Sequence, residues 1–143
     1  MYNSLRDLYQ QTVLEHARHP RNHRAIEEHA CSADGYNPLC GDKLQVFVRV
    51  EGDRIADLSF LGEGCAISQA SASLMTEALM GKTLADAERM GARVQELLTG
   101  DGAPDPELGK LEIFQGVREF PMRVKCATLA WHTLRAALKE ERS

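Results

Sequence analysis

A chain of 143 residues with 17 basic and 21 acidic side chains, a formal charge of −4 and a pI near 5.7 lacks a strong basic footprint. Phosphate binding needs such a footprint, which argues against nucleic acid as the main partner. The 43% hydrophobic and 27% charged residues are the balance of a soluble globular protein, and the length suits one domain, residues 1–143. No apolar run approaches the roughly 18 residues of a membrane span. The opening "MYNSLRDLYQQ" lacks the basic-then-apolar layout of a secretion signal, so a cytoplasmic location without membrane contact is expected.

Ser4 to about His19 is predicted as a helix, because Leu5, Leu8, Tyr9, Thr12, Val13 and His16 recur at helical spacing and form one stripe. Pro20 stops it, and "HPRNHRAIEEHA" is a polar connection. "ADGYNP" carries turn chemistry, Asp-Gly followed by Asn before Pro. From Lys43 to Glu51, Leu44, Val46, Val48 and Val50 alternate with Lys43, Gln45, Arg49 and Glu51, as in a half-buried strand, with Phe47 the exception. "EGDR" turns the chain into a second strand, where Ala56, Leu58 and Phe60 alternate with Asp57 and Ser59. The pair makes a hairpin, so part of the sheet is antiparallel.

"LGEGC" breaks this strand, and Cys65 to Met80 reads as a helix rich in small residues that ends at Gly81. Thr83 caps another helix, with Asp86 completing a capping-box variant and Leu84, Ala87, Met90, Val94 and Leu97 lining it up to Gly100. "TGDGAPDPELGK" reads as a loop, and "LEIFQGVREFP" is ambiguous. A last helix runs from about Met122 or Cys126 to Glu140, with Ala127, Ala130, Leu134 and Ala137 or Leu138 on one face. The sum is an α+β fold: a small antiparallel β-sheet of about three strands, the third near Ala30, with helices packed against it.

Four cysteines, Cys31, Cys40, Cys65 and Cys126, are present, and no two are spaced as CxxC. Without an export signal a disulfide framework is not expected, which leaves metal binding, thiol chemistry or plain burial. In "NPLCGD", Cys40 and Asp42 are two residues apart. On an extended backbone such residues share a face, with Cα atoms about 6–7 Å apart. Gly41 between them offers no obstruction and permits unusual backbone angles. An ordinary turn with a buried cysteine is the alternative. Cys65 opens a helix after "GEG", and Cys126 lies near the start of the last one. The dipole and free N–H groups at a helix N-terminus favour thiolate, the form that binds metal or attacks sulfur. Three thiolates and a carboxylate can complete a tetrahedral zinc site, although spacing alone does not bring them together. Cys31 is read as a spectator, His16, His19, His23 and His29 as solvated, and His132 as structural.

Taken together, "NPLCGDKLQ", "FLGEGCAISQASASLM" and "FPMRVKCATLAW" resemble the three cysteine motifs of the SufU branch of the IscU/NifU-N-like proteins, which serve iron–sulfur cluster assembly. "DLYQQTVLEHARHPRNHR" is similar to the N-terminal helix and Pro-Arg-Asn connection of that family, so the resemblance covers nearly the whole chain. It implies metal ligands at Cys40, Asp42, Cys65 and Cys126. Scaffolds of the IscU type usually carry a histidine directly before the last cysteine; here that residue is Lys125, and the insertion "LTGDGAPDPELGKLEIFQG" is present. Both features resemble SufU and imply a zinc-dependent sulfur acceptor. A cysteine desulfurase of the SufS type would supply persulfide sulfur to Cys40 once this ligand is displaced from Zn2+ on docking. Cys65 and Cys126 would hold the metal, and the sulfur would pass on to a downstream cluster scaffold or apo-protein. Arg123 and Lys125 would support an anionic site. The alternative implied by the same family is a scaffold that assembles a [2Fe–2S] cluster on these cysteines.

Overall fold

The structure is a computed structural model, and it describes residues 5–100 and 105–142. Helix α1 spans Leu5–Arg18, and three strands follow: β1 at Cys31–Asn37, β2 at Asp42–Glu51 and β3 at Arg54–Glu63. Helices α2 (Ala66–Leu79) and α3 (Leu84–Thr99) come next, then a 3-10 segment at Pro106–Val117 and helix α4 at Pro121–Arg142. The strands form an antiparallel sheet in the order β1-β2-β3. Helix α4 lies on β1 and β2, α2 on β3, and α1 on α2. The expected α+β architecture is therefore what the chain adopts.

The core sits between the sheet and this helical layer. The alternation read in β2 holds: Leu44, Val46 and Val48 are buried, while their neighbours Lys43, Gln45, Phe47 and Arg49 are not. In β3 the alternation slips, because the register with β2 shifts between Arg49 and Val50. Ile55 takes the buried place instead of Ala56, and Leu58 and Phe60 keep theirs. Ala70, Ala72, Met75 and Leu79 of α2 and Ala127, Ala130 and Ala137 of α4 close the other side. Small side chains let α2 and α4 approach closely, and the Ser71 hydroxyl donates to the Ala127 carbonyl.

Four expectations need correction. "ADGYN" is not a turn but most of β1, paired with β2 from Cys31↔Val48 to Asn37↔Asp42. Gly35 is there because α4 crosses it: a Cβ at this position would lie 2.0 Å from Thr133 Oγ1, a close backbone approach that only glycine permits. The segment read as loop and ambiguous contains the 3-10 turns of Pro106–Val117, broken where Gly109 takes φ 56°. Burial of Leu108, Leu111, Phe114 and Val117 holds them, and ion pairs from Arg89 to Glu107 and from Arg93 to Asp105 tie them to α3. Positions 101–104 of the loop lie outside the described residues. Helix α4 begins at Pro121 rather than at Met122 or later, since proline suits a first helical turn. Among the histidines, His16 is buried at 2% exposure, whereas His19, His23, His29 and His132 are exposed.

Candidate metal centre

Three chain segments meet at one end of the sheet. The first is the β1–β2 hairpin loop, Pro38 to Gly41, framed by the pair Asn37↔Asp42. Its backbone closes with the Cys40 N–H donating to the Asn37 carbonyl at 3.3 Å. Gly41 takes φ 70° with open space where a side chain would stand, so the position requires glycine for its backbone conformation. Cys40 and Asp42 thus come together across a turn, not along an extended strand as the spacing suggested. The second segment is the β3–α2 junction, where Gly64 precedes Cys65. The third is α4, which delivers Cys126 from its second turn.

The side chains converge. The sulfurs of Cys126 and Cys40 are 3.1 Å apart. One ligand atom each from Cys40, Asp42 and Cys126 lies within 4.8 Å of the others, the dimensions of a group that can hold a metal ion. Cys65 borders the group, with its sulfur 3.8 Å from Asp42 Oδ2. Asp42 is fully buried and its Oδ1 accepts the Cys65 backbone N–H at 2.8 Å. That bond ties the hairpin to the helix junction. A Cβ on Gly64 would stand 2.3 Å from Asp42 Oδ1, so this glycine makes room for the carboxylate.

Cys65 caps α2 as its helix-opening position suggested: the Ser68 N–H donates to its sulfur at 3.4 Å. Cys126 does not sit at a helix end, because α4 starts five residues earlier at Pro121. Its sulfur instead accepts the Asn37 side-chain N–H at 3.7 Å. Burial pushes the thiols of both Cys65 and Cys126 up. For Cys126 the hydrogen bonds with Cys40, Asp42 and Cys65 push the same way. At Cys65 the Ser68 N–H and Cys126 pull back without prevailing. The helix-terminus effect expected to favour thiolates is thus outweighed by desolvation. Sulfur and carboxylate ligands crowded together, with Asp42 and Cys126 buried and Cys40 and Cys65 half-buried, are a donor set that suits a soft-to-borderline cation such as zinc.

Of the supporting residues, Arg123 lies over the Phe120 ring at 4.6 Å and Lys125 is exposed on α4. Cys31 opens β1, at the end of the strand away from the hairpin loop. Sequence reasoning missed Asn37, whose only visible signal was its place before Pro38, and Gly64, which reads simply as a strand breaker. It also missed Tyr9, whose hydroxyl is pushed up first by burial and further by the charges of Cys65 and Cys126, against the pull of Arg123.

With this geometry on a three-stranded sheet, the comparison with known sequences is direct: the chain belongs to the NifU-like N-terminal domain family, which matches residues 8–127. Across 96% of its length it is 39% identical to the zinc-dependent sulfurtransferase SufU of Bacillus subtilis, covering 94% of that protein. It is 38% identical to the iron–sulfur cluster assembly scaffold protein IscU of Streptococcus pyogenes, covering 96% of this chain and 86% of that one. A crystal structure from Fervidobacterium islandicum, described as an assembly scaffold for the SUF system, superposes with a TM-score of 0.85 at 36% identity, over 90% of this chain and 94% of that one.

Proposed function

We propose that this chain is a zinc-dependent sulfur acceptor in iron–sulfur cluster assembly. It takes persulfide sulfur from a SufS-type cysteine desulfurase onto Cys40 and passes it to a cluster scaffold or apo-protein. The observation that carries this reading is the asymmetry of the three thiols. Cys126 is buried, Cys65 is fixed as a helix cap, and Cys40 stands on a hairpin loop between the exposed residues Leu39 and Gly41. The similarity to a zinc-dependent sulfurtransferase over almost the full chain supports it. Zinc held by Cys40, Asp42, Cys65 and Cys126 would keep thiols deprotonated at neutral pH without oxidising them.

The chemistry of Cys40 is thiol exchange. Its thiolate attacks the terminal sulfur of the donor persulfide, the donor's S–S bond breaks, and the donor cysteine leaves as a thiolate. A new S–S bond now lies on Cys40, with no net oxidation or reduction. Four large apolar side chains on or next to the hairpin loop of Cys40 and the start of α4 are exposed: Tyr36, Leu39, Phe120 and Met122. They suit a partner that covers the site and excludes water during transfer.

Metal analysis of freshly purified protein and mass spectrometry after incubation with a charged desulfurase test the reading together. Wild type gains one sulfur atom on Cys40, and Cys40→Ala falls to background. Sulfur uptake at the normal rate by Cys40→Ala refutes it. A second reading rests on the scaffold names of two relatives: the site would build a [2Fe–2S] cluster as cargo. It predicts a coloured, oxygen-sensitive protein after anaerobic loading with iron and sulfide, and intact transfer of that cluster to an apo-protein.

A further inference from the structure

We propose that Asn37 is the positioning residue that divides the labour between Cys40 and Cys126, directing incoming sulfur to Cys40. The inference rests on the sulfur-acceptor reading and adds to it a residue outside the ligand set. Asn37 is 7% exposed and stands at the mouth of the hairpin, opposite Asp42. Its side-chain carbonyl accepts the Leu39 N–H at 3.2 Å, and its backbone carbonyl accepts the Cys40 N–H at 3.3 Å. These two bonds shape the loop that carries Cys40. With Oδ1 occupied by Leu39, the amide group must present its nitrogen to the interior, where Nδ2 donates to Cys126 Sγ at 3.7 Å.

The consequence is a difference among the sulfurs. Cys65 receives an N–H from Ser68 and Cys126 receives one from Asn37. Cys40 receives none among the described residues; its sulfur contact is Cys126 itself. An N–H donor draws electron density from a thiolate sulfur, which makes it a poorer nucleophile and a better-oriented ligand. The sulfur without an N–H donor is then the one that reacts once the thiols are ionised, and it is also the one on the loop that Asn37 shapes.

Two full-length variants separate this role from a structural one. Asn37→Asp keeps an acceptor for the Leu39 N–H but removes the donor to Cys126. Asn37→Ser keeps a turn-forming oxygen that is too short to reach the sulfur. After exposure to glutathione persulfide or to a charged cysteine desulfurase, the added sulfur is mapped by peptide mass spectrometry. Wild type carries it on Cys40; both variants are expected to place a measurable share on Cys126. Zinc affinity should fall by about 10–100-fold, the usual range for losing an outer-shell partner. In the cobalt-substituted protein the thiolate-to-metal charge-transfer band should shift, a signature that mere loss of stability would not move. Sulfur confined to Cys40 with an unchanged cobalt spectrum in both variants overturns the proposal. A variant that fails to fold leaves the other to decide. Should both fail, the wild type loaded with cadmium-113 decides: a correlation between the Asn37 side-chain amide and the metal is expected, and its absence is fatal. If wild type accepts no sulfur at any cysteine, the sulfur-acceptor reading fails instead, while the zinc and cobalt measurements still judge the Asn37–Cys126 bond.

Discussion

Helix α2 touches two buried polar clusters, and they are built on opposite principles. Beside its middle turns, His16 Nδ1 pairs with Ser73 Oγ at 2.7 Å, the Arg21 N–H donates to the same oxygen at 2.8 Å, and Asn22 Nδ2 donates to Thr76 Oγ1 at 3.0 Å. Donors meet acceptors, and burial, with Arg21 beside it, favours the neutral form of His16. At the N-terminus of α2, thiols and a carboxylate face one another instead, and at Cys126 burial and the neighbouring Cys40, Asp42 and Cys65 all push the thiol up. A polar cluster whose needs are met within the fold clamps elements together, here α1 and its connection onto α2. A cluster of acidic groups with too few donors is instead suited to a cation.

The sharpest way to break this comparison is to add zinc. At about a thousand times its dissociation constant, zinc would stabilise the fold by about 4 kcal/mol, or a rise in Tm of about 10 °C for a chain of this size. Asp42→Ala should lose most of that rise. Ser73→Ala should cost about 1–3 kcal/mol with or without metal, because it orphans buried groups on His16 and Arg21, yet leave the zinc-induced rise intact. Thermal melts of the three proteins, each with zinc and with chelator, decide it. A zinc effect that survives Asp42→Ala, or vanishes with Ser73→Ala, would mean that the two clusters are not independent.

The second prediction concerns acid. Burial, and then Arg21, hold His16 below its ordinary value of 6.5, with Lys110 acting the same way and Glu77 and Glu15 opposing. The unfolded chain therefore binds a proton that the folded one refuses. Stability in metal-free protein should be full above pH 6.5 and decline as pH falls from there towards the folded value, with a slope of at most about 1.4 kcal/mol per pH unit for one proton. Cys65 and Cys126, pushed upward, stay protonated throughout that window. Urea titrations at several pH values should show this decline in wild type and a flatter line in His16→Gln; equal slopes would remove His16 from the account.

How far these clusters were legible in the sequence follows from how local their causes are. The four candidate ligands are carried by short motifs, and the Thr83 cap and the β2 alternation depend on near neighbours, so all could be read. The His16 clamp could not be, since Ser73 lies 57 residues away and its helix pattern is simply one of small residues. Gly35 misled for the same reason: its local chemistry is that of a turn, and only the crossing of α4 makes it a strand residue. The placement of Cys126 in a second helical turn followed from Pro121, whose preference for starting helices was read too weakly. Asn37 stood in plain view but could be read only as half of an Asn-Pro turn, because its second partner, Cys126, is 89 residues distant.

The smallest expected effect lies at the outer edge of the His16 clamp. Past Asn22 the connection runs beside β3, where the Phe60 N–H donates to the Asn22 carbonyl at 3.1 Å. Arg24 adds a two-pronged bond to Asp57, at 3.1 and 2.7 Å, with side chains 46% and 20% exposed. Solvent on that scale screens the pair, so Arg24→Ala should cost less than about 1 kcal/mol at neutral pH and should not alter the response to zinc. The Arg24 hydrogen bond holds the Asp57 carboxyl below its ordinary 3.8. Its contribution is therefore present above pH 3.8 and lost as pH falls through the lower, folded value, so the urea curves of wild type and variant should converge in that acid range. The His16 decline begins at pH 6.5 and the Asp57 decline at pH 3.8, so the two onsets can be told apart in one series. A loss of more than about 2 kcal/mol, or a changed zinc response, would show that the connection braces the metal-bearing end as well as the clamp, and the contrast between the clusters would have to be redrawn.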